Sequence, residues 1–235
     1  MHKTFVNLLA CFIYDKKKRD KFRNAHRKCY KVISDGSNII TSPKAKSIDI
    51  YVKGNGNVID IDNGIDSRTL IHIRVVGDNN NIKIKKCNAI INLSMGSDDG
   101  RSIHNSSFEF GESYSGSVSY VMMEDNTHIK IGDRCMFSNG IMFRCTDDHA
   151  IISLDNGEVI NRARSIEIGD HVWIGMNVSI LKNSKIADGC IVGMNSVVAG
   201  KFNQKNCVIC GNSARVVREN VKWDGARPDL YHKPA

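Results

Sequence analysis

The sequence predicts an all-β chain wound as a triangular parallel solenoid, and three observations predict it. From Ile168 onward an aliphatic residue recurs at every sixth position, at 168, 174, 180, 186, 192 and 198, without a break. Small or β-branched residues follow four places later, at Val172, Val178, Ser184, Cys190 and Ser196. The same phase runs earlier, through Ile131, Phe137 and Phe143. A period of six is neither the 3.6 of a helix nor the 2 of an isolated strand, and an internal repeat takes priority in judging a fold. Three six-residue units, each a short strand and a corner, close one coil of about 18 residues, with the aliphatic side chain inward and stacked on its equivalents. Glycine beside it permits a tight corner, and Asp and Asn suit the turns between.

Taken in order, residues 1–44 read as an N-terminal helical and basic segment. Phe5, Leu8, Leu9, Phe12 and Ile13 supply an apolar face to a helix from about residue 3 to 33, and Lys16 to Arg19, Arg23, Arg27 and Lys28 a basic one. The apolar run from Phe5 to Tyr14 is too short to span a bilayer and lacks a small-residue cleavage site. Packing against the rest of the chain is the first expectation; peripheral membrane contact is the second. Residues 45–219 form the solenoid. GNGNVIDI at 54–61 and GDNNNIKI at 77–84 resemble one another and read as less regular early coils, while 91–120 is too polar and irregular to assign. A separate β-sandwich is the alternative for this half, because VKGNGNVIDIDNG alone fits a hairpin; the lack of a linker favours one continuous solenoid. Between Phe143 and Ile168 the repeat is interrupted, so a loop over 147–165 leaves the scaffold. A long excursion from a regular scaffold is where function concentrates. Residues 220–235 read as a tail.

The 33 Lys and Arg against 25 Asp and Glu give a net charge of +8, which suits an anionic partner without choosing one. No nucleic-acid recognition motif accompanies that charge. The eight cysteines, at 11, 29, 87, 135, 145, 190, 207 and 210, do not form a dense disulfide framework and read as reduced thiols of a cytoplasmic protein. Cys207 and Cys210 make only one CxxC spacing, and no metal is expected.

The repeats, together with FRCTDDHAI, the loop, EIGDHVWIG and GNSARVVRE, resemble the hexapeptide-repeat acyltransferases, and within them the bacterial capsule-polysaccharide and polysialic acid O-acetyltransferases. The specific motifs cover residues 129–219. The resemblance implies a left-handed parallel β-helix, acetyl-CoA as co-substrate and a homotrimer with active sites between subunits. It also implies transfer of acetyl to a hydroxyl of a surface polysaccharide or its sugar precursor, at the inner face of the membrane or free in the cytoplasm. It places the catalytic base at His149: neutral imidazole near pH 7 can take the proton of a hydroxyl as it attacks a thioester. Asp147 and Asp148 are candidates to orient it or to meet the acceptor, and Asn161 to fix the loop or touch the acceptor. Trp173 is placed beside thioester and acceptor, and the Met176 N–H is the candidate donor to the developing oxyanion. Gly175, Gly193, Met194 and Ala199 are expected along the pantetheine arm, with Lys201, Arg215 and Arg218 near the nucleotide phosphates. The family's GNPA turn stands here as Gly211-Asn212-Ser213-Ala214, and Gly200 displaces the expected basic residue to Lys201. His171 of HVWIG is read as structural or pocket-lining, and the spacing of His128, His149 and His171 does not reproduce the zinc triad of related β-helix lyases. An amino-sugar or small-amine N-acetyltransferase and a non-catalytic β-solenoid binding protein stand as the alternatives.

Overall fold

A computed structural model of the protein describes residues 30–43, 47–96 and 100–231. The less regular half runs β1 (Lys31–Asp35), β2 (Ile39–Thr41), β3 (Ile48–Lys53), β4 (Val58–Ile61), β5 (Leu70–Val76), β6 (Asn81–Ile84), β7 (Cys87–Met95), β8 (Ser107–Phe110) and β9 (Ser113–Met122). The regular half opens with β10 (His128–Ile131), β11 (Cys135–Phe137) and β12 (Ile141–Arg144). After the loop come β13 (Ile166–Ile168), β14 (Trp173–Ile174), β15 (Ser179–Leu181), β16 (Lys185–Ile186), β17 (Ile191–Val192), β18 (Val197–Val198) and β19 (Lys201–Phe202). A hairpin of β20 (Val208–Gly211) and β21 (Ala214–Arg218) closes the end antiparallel.

These strands stack into a left-handed parallel β-helix of about seven turns with three faces. Face A holds β1, β3, β5, the C-terminal parts of β7 and β9, then β12, β15 and β18. Face B is β2, β4, β6, β8, β10, β13, β16 and β19 in that order. Face C holds the N-terminal parts of β7 and β9, then β11, β14, β17 and β20. Ile168 pairs with Ile186 and Trp173 with Ile191, the 18-residue advance expected of three hexads.

Both expected series point inward. Ile168, Ile174, Ile180, Ile186, Val192 and Val198 are buried in one continuous core, and so are Val172, Val178 and Cys190. Ser184 and Ser196 are buried too, and each satisfies its hydroxyl on the backbone, Ser184 as donor to Val198 O at 3.0 Å and Ser196 as acceptor from Gly211 N at 3.1 Å. Left-handed backbone at Asn177 and Asn195 turns the corner between faces C and A, as Asn183 does between A and B. Asn visits that region at lower cost than most side chains.

The early coils hold to the same plan by a different device. GNGNV and GDNNN resemble one another because they stack: a Cβ on Gly54 would lie 2.1 Å from Gly77 O, and both glycines have positive φ. The buried Asn57 donates to Asn38 Oδ1 and Gly77 O, and Asn80 donates to Asn57 Oδ1 and Ile103 O, so one amide ladder climbs three coils. Each rung satisfies polar groups that burial would otherwise leave unpaired. The segment 91–120, left unassigned from sequence, carries β8 and most of β9. β9 spans two faces by bending at Gly116, where a Cβ would lie 2.2 Å from that of Phe137.

Two expectations need correction. The helix expected to reach residue 33 does not: Lys31–Asp35 is a strand in register with Asp49–Lys53, so the solenoid begins before residue 45. Val32 is half-buried while Lys31, Ile33, Ser34 and Asp35 are exposed, which suits a half-covered edge strand better than a helical stripe. The remainder of that helix, residues 3–29, lies outside the described residues. The tail also has a fixed part, because Trp223 is buried and packs on His171 with ring centroids 4.1 Å apart.

Cys87, Cys135, Cys145, Cys190 and Cys207 are buried free thiols, and burial pushes Cys87, Cys135 and Cys145 up to about 12. Cys207 faces the core whereas Cys210 is half-exposed in β20. Among the described residues no helix is long and apolar enough to cross a membrane.

Ile174 has no solvent exposure and stacks between Phe137 and Val192. Ile174→Ala is expected to cost about 3 kcal/mol, the usual range for a buried aliphatic truncation in a core that cannot collapse. Urea unfolding with an unchanged m-value measures it.

Candidate active site

β12 ends face A at Arg144, and the next coil does not begin until β13. Ile129 pairs with Ile166, 37 positions on, where a regular coil advances by 18, so 19 residues are inserted at the corner between faces A and B. The insertion folds on itself. Ile152 bridges Val159, and the N–H of Ile160 donates to Ile151 O at 2.9 Å. Its apolar side chains face out: Ile151, Ile152, Leu154 and Ile160 are all more than half exposed.

The root of this loop is tied to the scaffold at several points. Lys182, on the coil below, donates to Asp147 Oδ2 and, at 2.7 Å, to Asn161 O. Asn161 in turn donates to Asp147 Oδ2 at 2.9 Å and to His149 O at 2.8 Å, while its Oδ1 accepts the Ile151 N–H at 2.7 Å. Arg101 holds Asp148 Oδ1 at 2.5 Å. Asp148 itself has φ +72°, with its N–H on Thr146 Oγ1 at 3.0 Å. This sharp turn projects His149 away from the prism, with its side chain 92% exposed. The imidazole Nε2 lies 4.0 Å from Asp148 Oδ2, too far for a hydrogen bond.

The charges at the root follow from these bonds. The Lys182 ammonium, then the Asn161 amide, hold the Asp147 carboxyl below the usual aspartate range. The Arg101 guanidinium does the same for Asp148. Both carboxylates are therefore ionised and committed to basic partners at neutral pH.

The remaining expected residues fall elsewhere on the surface. Trp173 is half-buried on face C, tilted against Trp223 with centroids 6.3 Å apart. Gly175 and Gly193 stack along the edge between faces C and A, where a Cβ on Gly175 would lie 2.7 Å from Met194 N and one on Gly193 2.3 Å from Cys210 Sγ. Met176 and Met194 stand exposed on the same edge. The Gly175 N–H is spent on Val192 O at 2.8 Å, while the Met176 N–H has no acceptor among the described residues. Such an edge, smooth and with an unspent donor, suits an extended thioester arm, which needs close backbone approach and hydrogen-bond partners. Arg215 and Arg218 are exposed on β21 beyond that face. Ala199 and Lys201 lie instead at the edge between faces A and B. There a cavity of about 370 Å³ is lined by Arg164, Glu167, Lys185 and Lys201 among others. One chain therefore brings His149 together with Asp147, Asp148 and Asn161, but sets Trp173, Met176 and the glycine edge on a different face.

Comparison with known proteins places this arrangement. Residues 165–200 match the family model described as bacterial transferase hexapeptide (six repeats). The chain is 33% identical over 201 residues to a polysialic acid O-acetyltransferase of Neisseria meningitidis, covering 85% of this chain and 89% of that protein. The chain belongs to the hexapeptide-repeat O-acetyltransferases. The activity of the class is transfer of acetyl from acetyl-CoA to an oxygen acceptor. A polysialic acid O-acetyltransferase of Escherichia coli O1:K1 / APEC is 30% identical over 110 residues, which span 35% of that longer relative. The crystal structure of the polysialic acid O-acetyltransferase OatWY superposes with a TM-score of 0.66 at 28% identity, covering 84% of this chain and 93% of that one. The polySia-specific acetyltransferase NeuO superposes with the same TM-score, 0.66, at 24% identity and shares the fold.

Within this enzyme the structure adds residues that the sequence did not single out. Lys182 and Arg101 fix the root of the loop, yet each is distant in sequence from the carboxylate it holds. Trp223 donates its indole N–H to His171 O at 2.8 Å and stacks on the His171 ring. His171 is thereby occupied as a structural clamp for the tail.

A carboxylate with a lowered pKa contributes stability that is complete above the ordinary aspartate value, about 4, and is lost as pH falls through the lowered folded value. The Asp147 clip should therefore keep the loop resistant to proteolysis from neutral pH down to below that value, and release it only in stronger acid. Lys182→Met should make cleavage within 147–165 rapid already at pH 7, with little change in global unfolding. Timed digestion across a pH series reads both.

Proposed function

We propose that this chain transfers the acetyl group of acetyl-CoA to a hydroxyl of a sialic-acid polymer, with His149 as general base. The observation that carries it is the rigid presentation of His149 at the root of a clipped loop, in a chain alike over most of its length to a polysialic acid O-acetyltransferase. The imidazole takes the proton of the acceptor hydroxyl while that oxygen attacks the thioester carbonyl. The C–S bond then breaks, and the imidazolium returns the proton to the departing thiolate. The Met176 N–H stabilises the oxyanion between these steps, and Trp173 covers the reacting groups. Asp147, Asp148 and Asn161 act mainly by holding the loop, because one carboxylate oxygen of each aspartate and the Asn161 amide are already bonded within the root, to one another, Lys182 or Arg101. The nucleotide end of acetyl-CoA is met by Lys201, Arg215 and Arg218. Use of acetyl-CoA, a cytoplasmic metabolite, supports a reaction inside the cell.

The working site lies between subunits of a homotrimer. His149 on a single chain is open to water, and among the described residues none hydrogen-bonds its ring, whereas Trp173 and the glycine edge occupy another face. Threefold closure would set the loop of one chain against the glycine edge of the next, and cover the exposed Ile151, Ile152, Leu154 and Ile160.

Release of CoA from acetyl-CoA in the presence of polysialic acid tests the reaction. His149→Ala should lower kcat by about 10³-fold, within the range for loss of a general base, with coenzyme binding kept. Turnover on neutral glycans alone would overturn the acceptor. Co-expressed His149→Ala and Trp173→Ala chains test the shared site. If each site takes His149 from one subunit and Trp173 from its neighbour, every mixed trimer regains one site of its three, roughly a quarter of wild-type sites over a randomly assembled population. No recovery in verified mixed trimers would place both residues in one subunit's site.

A further inference from the structure

Two buried side-chain polar atoms lack a hydrogen-bond partner among the described residues, Ser113 Oγ and Arg144 Nε. The second is the last residue of β12, at the root of the His149 loop. Arg144 is half-buried on the outer surface of face A, between Met122 on the coil above and Leu181 on the coil below. Among the described residues its guanidinium Nη2 finds only the Met122 thioether, at 3.4 Å. Sulfur is a weak acceptor, so the five donors of this group are largely unspent.

The neighbouring carboxylates do not relieve it. Its charge acts through space on both Asp147 and Asp148, yet Asp147 is bonded to Lys182 and Asp148 to Arg101. Among the described residues the root thus sets three cations, Arg101, Arg144 and Lys182, against the carboxylates of Asp147 and Asp148, and Arg144 is the one left without an ion pair. Arg162 and Arg164 on the returning limb are also basic but exposed, where water and salt screen them. Among the described residues of the root, Arg144 combines a positive charge, partial removal from water and no ion-paired carboxylate. A group in that state favours an incoming carboxylate, which guanidinium matches in shape as well as charge. The position is suitable for the acceptor rather than the coenzyme: Met122, against which the Arg144 guanidinium lies, lines one cavity with Asp148, and Asp148 Oδ2 is 4.0 Å from His149 Nε2.

We infer that Arg144 binds the carboxylate of the acceptor sugar beside His149 and thereby selects an acidic glycan over a neutral one. The inference rests on the polysialic acid reading above. Every sialic acid unit carries one carboxylate, so docking it on Arg144 would fix the register of the unit whose hydroxyl faces the base. Arg144 then determines specificity and takes no part in proton transfer.

The test compares oligosialic acid with its methyl ester, which keeps the hydroxyls and removes the charge, on the wild-type enzyme, Arg144→Gln and Arg144→Lys. On wild type, esterification should raise the acceptor KM about tenfold or more, the usual effect of losing a charged hydrogen bond. Arg144→Gln should raise the KM for the native acceptor by a similar factor and leave that for the ester, and for acetyl-CoA, at wild-type values. Arg144→Lys should recover part of the loss. Equal impairment of Arg144→Gln on acid and ester, or a matching rise in the acetyl-CoA KM, would overturn the assignment and mark a structural role. Equal use of acid and ester by wild type would overturn it without any variant. Wild type inactive on oligosialic acid but active on a neutral glycan would instead sink the polysialic acid reading, and the Arg144 assignment with it.

Discussion

Everything in this molecule depends on the stacking of one coil on the next at an 18-residue advance. Each strand of the regular half has only two to four residues, too few to stand alone, and gains stability because its backbone ladder and its inward side chain are repeated directly above and below. Ile174 between Phe137 and Val192 is one such column. The same repetition fixes where outward residues point, because side chains two apart share a face. Arg144 lies over Leu181, and Met136 over Trp173, by register. The surface chemistry is thus set by the core's period.

That regularity explains why the active loop needs so many ties. A solenoid corner offers two to four turn residues, and the insertion leaves through one of them. Lys182, Asn161 and Asp147 close the gap with hydrogen bonds that substitute for the missing ladder, and Arg101 braces Asp148 from a coil above. The result is a root held by hydrogen bonds: the base projects into solvent while its backbone is tied to Asn161. Catalysis asks for this division, since a base displaced by an ångström loses much of its effect.

Much of the fold was legible because the inward positions carry the repeat in their own identities. Ile168 through Val198 could be counted, and the loop appeared as a break in the count. The early coils were harder. Their advance varies, with Ile59 pairing to Ile82 and Ile71 to Ile91, so no single period emerges. Their order comes from the Asn57–Asn80 amide ladder and the Gly54–Gly77 stack, which leave only a faint likeness between two segments. Segment 91–120 hid β9 because that strand spends ten residues bending over two faces. Lys31–Asp35 was misjudged for a related reason: an edge strand of mixed polarity has no pattern until its partner, Asp49–Lys53, is beside it.

By itself the sequence determined the solenoid, the place of the loop, the position of His149 at its root and the membership of an acetyltransferase class, because each is written in local spacing or in contiguous motifs. Only the tertiary structure decided which charges meet. Asp147 bonds Lys182 across 35 positions and Asp148 bonds Arg101 across 47, and with both carboxylates committed Arg144 is, among the described residues of the root, the half-buried guanidinium left without an ion pair. His171 and Trp223 find one another across 52 positions in the same way. Pairing between side chains depends on which coils are neighbours and on which face each residue points from. Those are properties of the wound chain, and no stretch of its sequence contains them.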